Sequence, residues 1–141
     1  EAVGHFMLQV QTAGGTLACR LKVENFILYV DQVHMMNVIS NLLDNAVKYS
    51  SGAPEIEVFT RREGDMRIIG VQDHGIGISK EAQRKVFKRF YRVPSGNLHN
   101  VRGFGLGLSY AKSIVELHNG SMRLTSKKNK GTLVEIIFRI E

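Results

Sequence analysis

The sequence predicts an α/β fold, a two-layer α/β sandwich in which helices cover one face of a mixed sheet. Three observations carry this. Met35, Ile39, Leu42, Leu43 and Ala46 recur at helical spacing between Asp31 and Tyr49 with no internal Gly or Pro. Ile56, Val58 and Thr60 alternate with charged or aromatic residues ahead of a second run, MRIIGVQD. Val134, Ile136, Phe138 and Ile140 repeat the period-two pattern near the end of the chain.

In chain order, residues 6–30 are expected to hold two strands, FMLQVQ and LKVENFILYV, separated by the break at Gly14 and Gly15. Asp31 supplies the oxygen that can cap the helix reaching about Tyr49. SSGA and Pro54 mark a loop, and EGD at 63–65 turns one strand into the next. On the returning strand, Ile69, Val71 and Asp73 share a face, so a carboxylate ends an apolar row. Ser79 is the expected cap of a helix through Phe90. The polar stretch from Tyr91 to Gly103 lacks periodicity and reads as a mobile lid. A further helix starts near Gly105 to Leu108 and stops at Asn119 to Gly120, where the glycine supplies a left-handed end. SMRLTS and TLVEIIFRI, joined by KKNKG, form the last pair of strands.

Composition narrows the function. A chain of 141 residues, 43% of them hydrophobic, suits one compact core. Nineteen Lys and Arg against 13 Asp and Glu give a net charge of +6, which favours an anionic partner. The cations fall in short clusters at 61–62, 85–92 and 127–130, a solvated surface with no nucleic-acid tail or aromatic-basic recognition motif, so no nucleic acid is expected. Cys19 is the sole cysteine, which leaves neither a disulfide framework nor a cysteine-based zinc site, and it reads as a small apolar residue. No apolar run approaches the roughly 18 residues of a membrane span, and the first residues lack a signal-peptide layout. A soluble piece without direct membrane contact is expected.

Four stretches carry chemistry. His34, Asn37, Asn41, Asn45 and Lys48 form a polar stripe on the first helix, where a lysine suits phosphate and an asparagine oxygen suits magnesium, although plain solvent exposure also explains such a stripe. In DHGIGIS at 73–79, two glycines let backbone pass close to a flat ligand. If Asp73 is buried it needs a donor, and an adenine amino group would serve where guanine offers a carbonyl. GFGLGLS at 103–109 runs into a helix whose N–H groups attract phosphate. KVFKRFYRV at 85–93 sets an apolar helical face of Val86, Phe87 and Phe90 beside Lys88, Arg89 and Arg92. Neither G-x-G-x-x-G nor G-x-x-x-x-G-K-[ST] occurs, which disfavours Rossmann and P-loop readings.

Taken in order, NLLDNAVKYS, DHGIGIS, VFKRFYRV, GFGLGLS and Gly131-Thr132 resemble the N, G1, F, G2 and G3 boxes of the catalytic and ATP-binding domain of sensor histidine kinases. The resemblance covers Asp31 to the C-terminus and implies the Bergerat ATP-binding fold shared with DNA gyrase and certain chaperones. It implies one domain over 1–141, with residues 1–6 a remnant of the linker from a dimerisation and phosphoacceptor domain. By the same carry-over Asn45 binds Mg2+, Asn41 and Lys48 lie near the phosphates of ATP, Tyr49 packs beside adenine, and Asp73 accepts from its amino group. Gly75 and Gly77 make room for the base, with Ile78 and Phe90 also counted in the pocket. Gly103, Phe104, Gly105, Leu106, Gly107 and Leu108 wrap the phosphates, Arg92 orients the terminal one, and Thr132 lies near adenine. Asn41, Lys48 and Arg92 are the residues implied in catalysis.

The chemistry implied is attack of a neutral imidazole on the γ-phosphorus. Related ATPases usually place a glutamate where Asn41 stands, and an asparagine cannot activate water, which favours phosphotransfer over hydrolysis. His5, His34, His74, His99 and His118 are the only histidines, and none sits in the family's acceptor pattern, so the chain is expected to bind ATP without autophosphorylating. His118 reads as a helix C-terminal cation when protonated. The implied partners are the phosphoacceptor domain of its own kinase and, indirectly, a response-regulator receiver. The implied location is the cytoplasmic part of a membrane-anchored bacterial sensor. A stand-alone serine kinase that binds a sigma factor would have similar size, but such kinases generally carry the glutamate absent at Asn41. A degenerate module that only senses ATP or docks a partner would keep the glycines and the asparagine stripe, and the complete motif set weighs against it.

Overall fold

The computed structural model describes residues 11–12, 14–20, 31–50, 52–85, 87 and 107–139. Along the chain these give β1 (Thr16–Arg20), α1 (Gln32–Lys48), β2 (Glu55–Glu63), β3 (Met66–Asp73), α2 (Lys80–Gln83), α3 (Gly107–Leu117), β4 (Ser121–Lys127) and β5 (Gly131–Arg139). The strands form one sheet in the order β1-β2-β3-β5-β4. β1 runs parallel to β2 and every other pairing is antiparallel, so the sheet is mixed as the sequence predicts. A parallel pair needs a crossover, and α1 supplies it.

α1 and α3 lie side by side on one face of the sheet. Met35, Val38, Leu42, Leu43 and Ala46 of α1 pack with Ala111 and Val115 of α3 onto Ile56, Val58, Ile69, Val71, Val134, Ile136 and Phe138. That apolar stripe is the helical-period pattern meeting three period-two patterns, and each fully buried aliphatic side chain contributes about 1.5–3 kcal/mol. Asp31 Oδ1 caps α1 by accepting from His34 N at 2.9 Å. At the other end the Tyr49 N–H returns to the carbonyls of Asn45 and Val47.

Several expectations need correction. Thr16–Arg20 is a strand where a link between two strands was expected, and Gln11, the last residue of FMLQVQ, is helical with Thr12. The rest of FMLQVQ, and all of LKVENFILYV, lie outside the described residues. TLACR is only five residues long, yet its whole length pairs with β2, so the ladder decides its conformation. Cys19 is exposed on this edge strand and fills no core space. Ser79 caps a helix by accepting from Ala82 N, but α2 ends at Gln83, because Arg84 N and Lys85 N bond three residues back in a tightened turn. At the end of α3 the left-handed residue is Asn119, with φ 64°, and not Gly120.

His118, just past the end of α3, is engaged through both ring nitrogens. Its Nε2 accepts from Asp31 N at 3.1 Å while Nδ1 lies 2.8 Å from the Ile114 carbonyl, an arrangement that requires the neutral ring with the proton on Nδ1. It ties the start of α1 to the end of α3. Among the described residues no helix is long and apolar enough to cross a membrane.

Candidate functional site

At one end of the helix-covered face, three strands finish their apolar rows on polar side chains. Ile69 and Val71 of β3 lead to Asp73; Phe138, Ile136 and Val134 of β5 lead back to Thr132; Met122 and Leu124 of β4 lead to Ser126. Period two puts all three on the same side of adjacent strands, and Thr132 pairs directly with Ser126.

Asp73 is 9% exposed. Its Oδ1 accepts from Gly75 N at 2.9 Å and from Thr132 N at 3.1 Å, and Oδ2 takes no hydrogen bond among the described residues. Burial pushes its carboxyl above the ordinary carboxylate value, and the two N–H groups and His74 offset only part of that. The carboxylate is therefore costly to keep charged and has an oxygen to spare. Thr132 Oγ1 lies 2.8 Å from Ser126 Oγ, which also accepts from Ile78 N at 2.8 Å.

The turn after β3 is pinned from three sides. Ile76 N donates to the Tyr49 carbonyl at 3.0 Å, and Asn129 N donates to the Ile76 carbonyl at 2.7 Å. Gln83 Nε2 bridges the carbonyls of Ile78 and Ser126 at 2.7 and 3.0 Å. A Cβ on Gly75 would run into the Tyr49 carbonyl, and one on Gly77, whose φ is +70°, into the Lys127 carbonyl. The protein's own backbone thus accounts for both glycines, a tighter demand than the room for a base that the motif implies.

The α1 stripe changes character along its length. His34 and Asn37 are exposed, whereas Asn41, Asn45, Lys48 and Tyr49 are half-buried at the end that meets the turn. The Asn45 side chain has no hydrogen bond among the described residues, which leaves its amide oxygen open. Lys48 Nζ, expected beside phosphate, forms an ion pair with Asp44 Oδ2 at 2.8 Å. Ile78 and Ala82 make a small apolar cluster against Phe87, Leu108 and Leu124. Gly107 and Leu108 begin α3, so the end of the glycine stretch does lead into a helix. Phe90, Arg92, Gly103, Phe104, Gly105 and Leu106 lie outside the described residues, as does the lid expected from Tyr91 to Gly103.

The structure thus brings together Tyr49, Asp73, Gly75, Gly77, Ile78, Leu108 and Thr132, with Asn41 and Asn45 on the adjoining helix end. The sequence reading missed Ser126 and Gln83. A polar residue ending the Met122–Leu124 row is the signal that marks Ser126, the same signal that marks Asp73. Magnesium demands few protein ligands and usually keeps waters and phosphate oxygens, so one open asparagine oxygen fits it. No group of three or more His, Cys, Asp or Glu able to hold a metal occurs among the described residues.

Residues 30–141 match the family described as histidine kinase-, DNA gyrase B-, and HSP90-like ATPase. The sensor protein RprX of Bacteroides fragilis is 45% identical over 132 residues, covering 92% of this chain and 25% of its own length. The signal transduction histidine-protein kinase ArlS of Staphylococcus aureus is 46% identical over 96 residues, covering 68% of this chain and 21% of its own length. The chain therefore spans about a quarter of the length of these relatives. Among solved structures, a mycobacterial sensor histidine kinase MprB superposes with a TM-score of 0.81 at 22% identity, covering 98% of this chain and 93% of that one. The catalytic domain of histidine kinase ThkA gives a TM-score of 0.82 at 19% identity, covering 98% of this chain and 88% of that one, a likeness of fold.

Proposed function

This chain belongs to the histidine kinase-, DNA gyrase B-, and HSP90-like ATPase family, and from that premise we propose that it is the ATP-binding catalytic part of a sensor histidine kinase. Its reaction is transfer of the γ-phosphate of ATP to a histidine on a dimerisation domain outside these residues: an N–P bond forms, the bond to the β,γ-bridging oxygen breaks, and ADP leaves. The names of the relatives, a sensor protein and a signal transduction histidine-protein kinase, support this reading. The observation that carries it is Asp73, a buried carboxylate whose Oδ1 is held by two backbone N–H groups and which forms no ion pair among the described residues. Such a group suits a neutral donor like the adenine amino group.

In this reading Thr132 stands beside Asp73 at the base, Tyr49 borders the ring, and the Asn45 amide oxygen holds Mg2+, which supplies charge neutralisation on the phosphates. Asn41 and Lys48 face the phosphates, Lys48 exchanging its Asp44 partner for a phosphate oxygen. Gly103 to Leu108 are assigned to the phosphates and Arg92 to orienting the terminal one. Asn41 has no carboxylate to deprotonate water, so transfer rather than hydrolysis follows. The parent protein is a membrane-anchored sensor with this part in the cytoplasm, and its phosphoryl group passes on to a response-regulator receiver.

Calorimetric titration with ATP and GTP, each with and without Mg2+, tests the reading. Adenine-selective, magnesium-assisted binding without autophosphorylation is expected, and phosphate should then appear on an acceptor-helix protein supplied in trans. No binding of ATP would overturn the proposal in favour of a partner-docking module.

A further inference from the structure

The hydroxyl of Ser126 has three neighbours and one proton. Ile78 N–H donates to it at 2.8 Å, the Gly131 carbonyl lies 2.9 Å away, and Thr132 Oγ1 lies 2.8 Å away. A carbonyl only accepts, so Ser126 must spend its proton on Gly131. The contact with Thr132 is then a hydrogen bond only if Thr132 donates. One proton arrangement satisfies every group: Ile78 N–H to Ser126, Ser126 to the Gly131 carbonyl, and Thr132 to Ser126.

This order has a consequence at the site. With its proton committed to Ser126, Thr132 offers a ligand lone pairs only. Its neighbour Asp73 is a carboxylate, also an acceptor, held against Thr132 N at 3.1 Å. All three side chains lie on the helix-covered side of the sheet, at the end of their rows.

We infer that Ser126 is a specificity-determining positioning residue: by fixing the hydroxyl proton of Thr132, it makes the edge formed by Asp73 and Thr132 present acceptors alone, which selects a purine with a 6-amino group over one with a 6-carbonyl. The inference rests on the ATP-binding reading above. Without Ser126, the Thr132 hydroxyl is free to turn its proton outward and serve a carbonyl, so discrimination falls even though no residue facing the base has changed. Such a hydroxyl switch is worth about one hydrogen bond, or roughly tenfold in a binding ratio.

The test compares ATP with inosine triphosphate, which differs in carrying a carbonyl at that position. Titrations with Mg2+ are run on the unsubstituted chain, Ser126→Ala, Thr132→Val and the double variant, with thermal melting of each as the check on folding. The ATP-to-inosine ratio should fall about tenfold in Ser126→Ala. In the Thr132→Val background, Ser126→Ala should change the ratio no further, whereas a merely structural serine would act alike in both backgrounds. Ser126→Thr, which keeps the hydroxyl, should restore the ratio. Should Ser126→Ala fail to fold, Ser126→Cys is read in its place, its thiol filling the same space as a weak hydrogen-bonding group. An unchanged ratio in the serine variant overturns the inference alone, provided that Asp73→Asn still weakens ATP. Absence of any preference for ATP in the unsubstituted chain overturns both the inference and the reading beneath it.

Discussion

Two carboxylates are buried in this sheet, on opposite faces, and they are treated in opposite ways. Glu135, 3% exposed, points away from the helices. It meets Arg61 Nη2 through Oε2 and Arg123 Nε through Oε1, both at 2.9 Å. Arg61 is itself steadied, its Nε 2.9 Å from Glu63 Oε1 in an ion pair without hydrogen-bond alignment and its guanidinium 5.7 Å over the Phe59 ring. Asp73, 9% exposed on the helix-covered face, has only backbone N–H groups and keeps an oxygen in reserve. Glu135 is consumed by the fold. Asp73 is held in place and left unspent, which is what a recognition group requires.

The contrast predicts which substitutions act on folding and which on binding. Gly131→Ala should do most, because a Cβ there would strike the Asp73 carbonyl at a φ of +126° that side chains rarely adopt. A loss of about 3 kcal/mol in stability is expected, together with loss of ATP binding, read by denaturant unfolding and titration. Asp73→Asn should separate the two effects. The amide oxygen still accepts from Gly75 and Thr132, but an NH2 now faces the adenine amino group, so ATP affinity should fall about 30-fold, or about 2 kcal/mol, while the fold persists. Unchanged affinity would remove Asp73 from the site. Glu135→Ala should show the converse, a stability loss of about 1–2 kcal/mol with ATP affinity unchanged. The loss is modest because Arg61 and Arg123, at 39% and 52% side-chain exposure, can turn to water. A fall in ATP affinity there would mean that the two faces are coupled.

Much of this was legible in the sequence where local patterns and tertiary demands agree. The α1 stripe, the β2–β3 hairpin and the β4–β5 pair announce themselves because the apolar period of each element is the face it buries. Asp73 stood out for the same reason, as a charge ending an apolar row. β1 was not legible, since TLACR acquires its conformation from pairing with β2 rather than from its own residues. Nor was the tie from His118 to Asp31, which joins residues 87 positions apart. The glycines of the turn were found, but their reason was not: proximity of the Tyr49 and Lys127 carbonyls exists only after α1 and the β4–β5 turn close on them.

The smallest effect is the most diagnostic, because it follows the charge on Asp73 alone. Burial raises the folded-state pKa of Asp73 above its ordinary value of 3.8. In acid below that value both folded and unfolded chains carry the proton, and ionisation costs the fold nothing. As pH rises past it, the unfolded chain releases the proton first, so stability falls until the pH exceeds the raised value and is level beyond. Asp73→Asn has no proton to release there, and no other residue differs between the two proteins. The variant should therefore match the parent chain most nearly in acid and gain on it as pH rises across that window, in melts compared from acid to neutral pH. A difference that stays constant, or runs the other way, would mean that burial does not penalise the charge on Asp73, and the contrast between the two carboxylates would collapse.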